Sequence, residues 1–115
     1  MTMLATKWVE VCRVQDIPAR GAIRVEFGNH TIAIFRTFDN TVRALEDQCP
    51  HKGGALSAGI VHDDCVTCPL HNWVISLESG KALGEDEGQV NKYAVRVRDE
   101  KVFLETPTTV ALSVA

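Results

Sequence analysis

Cys49-Pro50-His51-Lys52-Gly53-Gly54 and Cys68-Pro69-Leu70-His71-Asn72-Trp73 are the two stretches that decide how this chain is read. Each brings one cysteine and one histidine, as C-x-H and then, after sixteen residues, C-x-x-H. Thiolate is a soft ligand that suits zinc or iron–sulfur, and neutral imidazole suits both. Zinc modules usually place two cysteines in one short segment and two histidines in the other; here each segment is mixed. A proline follows each cysteine and fixes φ, which stiffens both loops. Gly53 and Gly54 let the backbone approach closely, so their amides can donate to sulfur.

Around these loops the chain reads as scaffold. Its 115 residues suffice for one domain with a real core. With 45% hydrophobic residues and few aromatics, that core is built mainly from Val, Ile, Leu and Ala. A net charge of −3 and no basic cluster argue against a nucleic-acid partner. No apolar run approaches the ~20 residues of a spanning helix, and residues 1–8 lack the apolar stretch of a secretory signal. The expectation is a soluble cytoplasmic protein with no membrane partner, in which four cysteines indicate metal binding or buried thiols before disulfides.

Turn signals recur every eight to twelve residues and no helical period is sustained. Residues 8–14 (W-V-E-V-C-R-V) alternate as a first strand. Residues 22–27 and 31–36 flank Gly28-Asn29-His30 as a hairpin. Asp39-Asn40 turns the chain into a somewhat irregular strand over 41–47. Residues 60–62 and 65–67 flank Asp63-Asp64 as a small hairpin, and 73–77 form a strand ended by a tight turn at Gly80. Residues 83–90 (L-G-E-D-E-G-Q-V) are an acidic loop, in which Glu85, Asp86 and Glu87 are solvated or face a basic partner. Residues 93–98 and 102–105 form the last hairpin, Pro107 ends the sheet, and 108–115 are an uncharged tail. About nine short strands predict an all-β sandwich or barrel. The single domain divides into a base domain (7–46 and 78–106), a small β subdomain inserted at 47–77 that carries the ligand segments, and a loose tail (107–115).

Other reactive side chains have plain readings. Cys12, in an alternating strand, is a buried thiol; Cys65, at a strand start, is structural, although it precedes Cys68 by three residues. His30 in a turn and His62 in a hairpin face solvent. Trp73 packs beneath the loops, and Lys52 stands where a partner can meet it.

The paired segments resemble the Rieske iron–sulfur signature, in which two loops grip a 2Fe–2S cluster with two thiolates and two imidazoles. The resemblance implies a Rieske-like base domain with an inserted cluster-binding subdomain. It assigns Cys49 and Cys68 to one iron and His51 and His71 to the other, with Gly53, Gly54 and Trp73 around them. All iron sites are then occupied by protein or sulfide, so the chain has no catalytic site of its own, and one-electron transfer is what remains. Such centres lie at about −150 to +300 mV, against about −400 mV for plant-type ferredoxins. High-potential members carry a further cysteine in each loop, joined as a disulfide, and hydroxyl donors after the last histidine. Gly54, Leu70, Trp73 and Ile75 stand at those places here, which implies the low end of the range.

Within that group, C-P-H-K-G-G-A-L-S-A-G-I-V with H-N-W-V-I-S-L and the later D-E-G is similar to the small subunit of assimilatory NAD(P)H-dependent nitrite reductase. That resemblance implies a large partner subunit carrying FAD, sirohaem and a 4Fe–4S cluster, which reduces nitrite to ammonia. The alternative is a free Rieske ferredoxin passing electrons from a flavin reductase to a ring-hydroxylating oxygenase.

Overall fold

The computed structural model describes residues 6–27, 30–49, 54–69, 72–83 and 88–107. In chain order the strands are β1 (Thr6–Arg13), β2 (Gly21–Phe27), β3 (His30–Arg36), β4 (Val42–Glu46), β5 (Ile60–His62), β6 (Cys65–Thr67), β7 (Val74–Ser76), β8 (Lys92–Tyr93), β9 (Val95–Arg98) and β10 (Lys101–Pro107). They form three antiparallel sheets, ordered β1-β10-β9, β2-β3-β4-β8 and β5-β6-β7. Among the described residues, helix is confined to two three-residue 3-10 turns, Val14–Asp16 and Leu56–Ala58, and no helix is long and apolar enough to cross a membrane. The all-β expectation holds.

The four-stranded sheet is the middle layer, and β3 shows why. Ile32, Ala33, Ile34 and Phe35 are all buried, whereas a strand with one wet face would alternate. Ile32 and Ile34 pack with Val42, Ala44, Val102 and Leu104, joining this sheet to β10. Ala33 and Phe35 look the other way, toward Leu45, Val61, Val66 and Ile75, joining it to the small sheet. One strand thus serves two cores because its neighbours in sequence point to opposite faces.

Most turn readings hold. Asn40, Asp63 and Gly80 have φ of 67°, 51° and 77°, the left-handed region that Asn, Asp and Gly tolerate best. At Gly80 a Cβ would meet the Val90 carbonyl oxygen at 2.6 Å, so glycine is required there twice over. Asp99 and Glu100, both left-handed, make the two-residue turn from β9 to β10.

Four readings change. The first strand stops at Arg13, whose N–H donates to the Asp16 carboxylate (2.8 Å); this side-chain bond turns residues 14–16 out of the sheet. Residues 93–98 are not one strand. The chain turns a corner at Ala94, with β8 on β4 and β9 on β10, which raises the number of strands to ten among the described residues. β4 holds regular register with β3 from Val42 to Glu46, and Asp47 lies beyond it. His30 opens β3 opposite Phe27 rather than sitting in a turn; it is half-buried, with Nδ1 3.4 Å from the Tyr93 hydroxyl. The acidic residues 85–87 and the tail from 108 lie outside the described residues; the acidic loop's flanks meet through a Lys81–Gln89 bridge.

Candidate metal centre

The two cysteines begin loops of the same construction. The Cys49 N–H donates to the Gly54 carbonyl at 2.7 Å, and the Cys68 N–H donates to the Trp73 carbonyl at 2.7 Å. Each bond spans five residues and draws the neck of a six-residue loop shut. In the second loop Asn72 takes φ of 57°, which brings the Trp73 carbonyl back toward Cys68. At the same offset from Cys49 the sequence has Gly53, the residue type freest to adopt that conformation. Gly53 itself, with Lys52, Leu70, His51 and His71, lies outside the described residues.

Cys49 is 1% exposed and Cys68 is fully buried, and both belong to the core between the middle and small sheets. Leu56, Val66, Ile75 and Leu77 surround them, and Trp73, half-buried, packs against the same cluster. A thiolate in such surroundings needs a cation beside it, because an isolated buried charge is prohibitively costly. Among the described residues no disulfide forms. Two buried thiols, at the mouths of matching loops in one apolar cluster, suit an iron–sulfur cluster. Ile75 is fully buried and Trp73 carries no hydroxyl, so neither supplies the O–H donor that would stabilise a reduced centre.

The remaining candidates behave as scaffold. Cys12 is half-buried rather than buried, and its thiol is pushed up to about 11, chiefly by burial and then by the nearby Asp16 carboxylate. Burial, followed by Asp64 and Asp63, also raises Cys65. Both therefore stay protonated near neutrality, which does not suit a nucleophile. His62 is exposed, with Nε2 2.6 Å from Thr67 Oγ1.

One residue beside the site escaped the sequence reading. Asp47, placed there at the end of a strand, has a fully buried side chain. Its Oδ1 accepts from the Ser57 N–H (2.7 Å), its Oδ2 from the Ser57 hydroxyl (2.7 Å), and Arg24 Nε lies 3.4 Å from Oδ2. The available signal was an Asp two residues before Cys49 and a Ser three residues after Gly54. The small sheet is tied to the middle one by a second ion pair, Arg43 to both oxygens of Asp64 (3.2 and 2.9 Å).

Residues 7–105 match the model of the Rieske-like [2Fe-2S] domain family. The chain is 34% identical over 96 residues to the 3-phenylpropionate/cinnamic acid dioxygenase ferredoxin subunit of Photorhabdus laumondii, covering 82% of this chain and 90% of that one. It is also similar to a solved structure described as a candidate NADPH nitrite reductase small subunit, with 32% identity, a TM-score of 0.76, and 85% and 97% of the two chains covered. A candidate NADH-dependent nitrite reductase small subunit from Mycobacterium tuberculosis shares the fold, with a TM-score of 0.79 at 24% identity over 88% and 96% of the chains.

Proposed function

The chain belongs to the Rieske-like [2Fe-2S] domain family and is a one-electron carrier with a Rieske-type 2Fe–2S cluster; from that premise we propose which residues hold the cluster and which reaction it serves. Cys49 and Cys68 hold one iron, His51 and His71 the other, and residues 47–77 act as the cluster-binding subdomain on a base formed by 7–46 and 78–106. The matched loop necks and the burial of both cysteines carry this reading. When bound, a 2Fe–2S cluster takes up and releases a single electron. The chain's own contribution is to hold two thiolates away from water, to fix the loops that present the imidazoles, and to surround the sulfurs with Leu56, Ile75 and Trp73. With no hydroxyl on residues 73 and 75, the site favours a potential at the low end of the Rieske range.

We propose further that the electron serves nitrite reduction, with this chain as the small subunit beside a large FAD- and sirohaem-containing reductase. The similarity to the candidate NADPH nitrite reductase small subunit over 85% of this chain and 97% of that one supports this, together with the H-N-W-V-I-S-L segment that begins at His71. A second reading, a ferredoxin feeding an oxygenase, has its own support in the 34% identity to a dioxygenase ferredoxin subunit. Reconstitution separates them. The holoprotein mixed with a sirohaem nitrite reductase large subunit should form a stable complex and sustain NAD(P)H-dependent nitrite reduction. If it remains monomeric and instead passes electrons from a flavin reductase to an oxygenase, the ferredoxin reading replaces the first. A His71→Ala variant that loses the cluster yet supports full nitrite turnover would refute the relay role.

A further inference from the structure

The two loops share the bond at the neck, but what holds them behind the neck differs. The second loop continues a hairpin: Thr67 stands opposite Val74, immediately outside the Cys68–Trp73 bond. The first loop joins β4 to β5, strands of different sheets that do not pair with each other. Its outgoing limb is tied to β3, the Asp47 N–H donating to the Thr31 carbonyl at 2.9 Å. Its returning limb is tied to the outgoing one by a side chain. Asp47 grips Ser57 twice, through the N–H and the hydroxyl, so one carboxylate closes an eleven-residue segment, 47–57, whose sequence includes Cys49 and His51. Burying a carboxylate is unfavourable unless its oxygens are satisfied, and Ser57 donates to both of these. Ser57 is a firm anchor because Leu56, beside it, is fully buried in the core shared with Cys49 and Cys68.

We propose that Asp47 is a positioning residue for the iron–sulfur centre: through Ser57 it fixes the limbs of the loop on which Cys49 stands, as the β6–β7 ladder does for Cys68. The inference rests on the reading of Cys49 and His51 as ligands. Its consequence is that, behind the neck, the returning limb of the first loop is held to the outgoing one by a carboxylate where the second loop has main-chain pairing. The exposed Arg24, 56% accessible at its side chain, contributes little, since its charge is largely screened.

The test uses the purified holoprotein with Asp47→Ala, Asp47→Asn and Ser57→Ala. Val102→Ala, in the other core, serves as a control that lowers stability away from the loops. Two quantities are read: the g-anisotropy and line width of the reduced EPR signal, and the rate of cluster loss to an iron chelator. Asp47→Ala should lose its cluster about tenfold faster than wild type and show a shifted or broadened signal, since it removes two hydrogen bonds to a charged acceptor. Asp47→Asn, which keeps an oxygen for the Ser57 N–H, should recover part of both. Ser57→Ala should fall nearer wild type, and Val102→Ala should keep the wild-type signal. An Asp47→Ala protein with wild-type g-values and no faster cluster loss than Val102→Ala overturns the proposal. If Asp47→Ala does not fold, wild-type spectra and loss rates in both Asp47→Asn and Ser57→Ala overturn it equally. Failure of the ligand reading is separate: the wild-type protein would then contain no acid-labile sulfide.

Discussion

Loops 49–54 and 68–73 have identical necks and unlike foundations. Behind Cys68 and Trp73 runs a β-ladder, which is made of main chain and is indifferent to most side chains. Behind Cys49 and Gly54 stands a buried carboxylate holding a serine. Two solutions to the same mechanical problem therefore differ in how they fail. A ladder survives point substitution and yields to backbone disruption, whereas a side-chain clamp can be removed by deleting a single functional group. The asymmetry follows from topology, because only the second loop joins two strands of one sheet.

The largest expected effect breaks both loops alike. Cys49→Ser or Cys68→Ser should abolish the visible absorption and the reduced EPR signal of the purified protein. Retention of a full complement of iron and sulfide by either variant would remove that cysteine from the ligand set. Next comes Gly59, where the first loop's returning limb crosses the base of the second. A Cβ there would stand 2.9 Å from Val66 Cγ2 and closer still to the Thr67 carbonyl oxygen, so β6 must move to admit it. Gly59→Ala should cost about 1–3 kcal/mol in chemical denaturation and accelerate cluster loss, because it displaces the strand leading into Cys68.

A smaller effect is expected at Thr67. Thr67→Ala removes the contact with His62 and leaves the ladder, so its unfolding free energy should change by no more than about 1 kcal/mol and its EPR signal not at all. A spectral change as large as that of Asp47→Ala would erase the distinction between the foundations. The smallest effect separates the loop thiols from Cys12. Alkylation of Cys12 in the native protein should follow a pH profile with its midpoint near 11 instead of the ordinary 9.0, so labelling at neutral pH is slow. The folded value lies above the unfolded one, so the stability linked to this thiol is present below pH 9.0 and is lost as pH rises toward about 11. Replacing Cys12 by serine should flatten that alkaline loss in denaturation measurements. Equal stability curves for the two proteins would show that the thiol titrates normally.

The sequence disclosed what is local and concealed what is shared between distant segments. The hairpin at Asp63 and the tight turn at Gly80 were legible because turn chemistry lies within four residues. The corner at Ala94 was not: Y-A-V-R-V-R alternates without a break, and alternation reports which face is buried but not which sheet a strand joins. Spacing singled out Cys49 and Cys68, which the structure buries in one core. Asp47 was hidden, since an acidic residue near a turn ordinarily faces water and only the packing of Ser57 and Leu56 over it buries the carboxylate. His30 was misplaced for a related reason, its partner Tyr93 lying 63 residues away.

The pairing of β1 with β10 carries a consequence for biogenesis. Thr6 meets Pro107 and Arg13 meets Lys101, so the outer sheet cannot zip until nearly the whole described chain has left the ribosome. Both loop thiols are synthesised well before that closure. Among the described residues, the core that buries Cys49 and Cys68 draws none from β1 or β10, so closing the outer sheet is not what covers them.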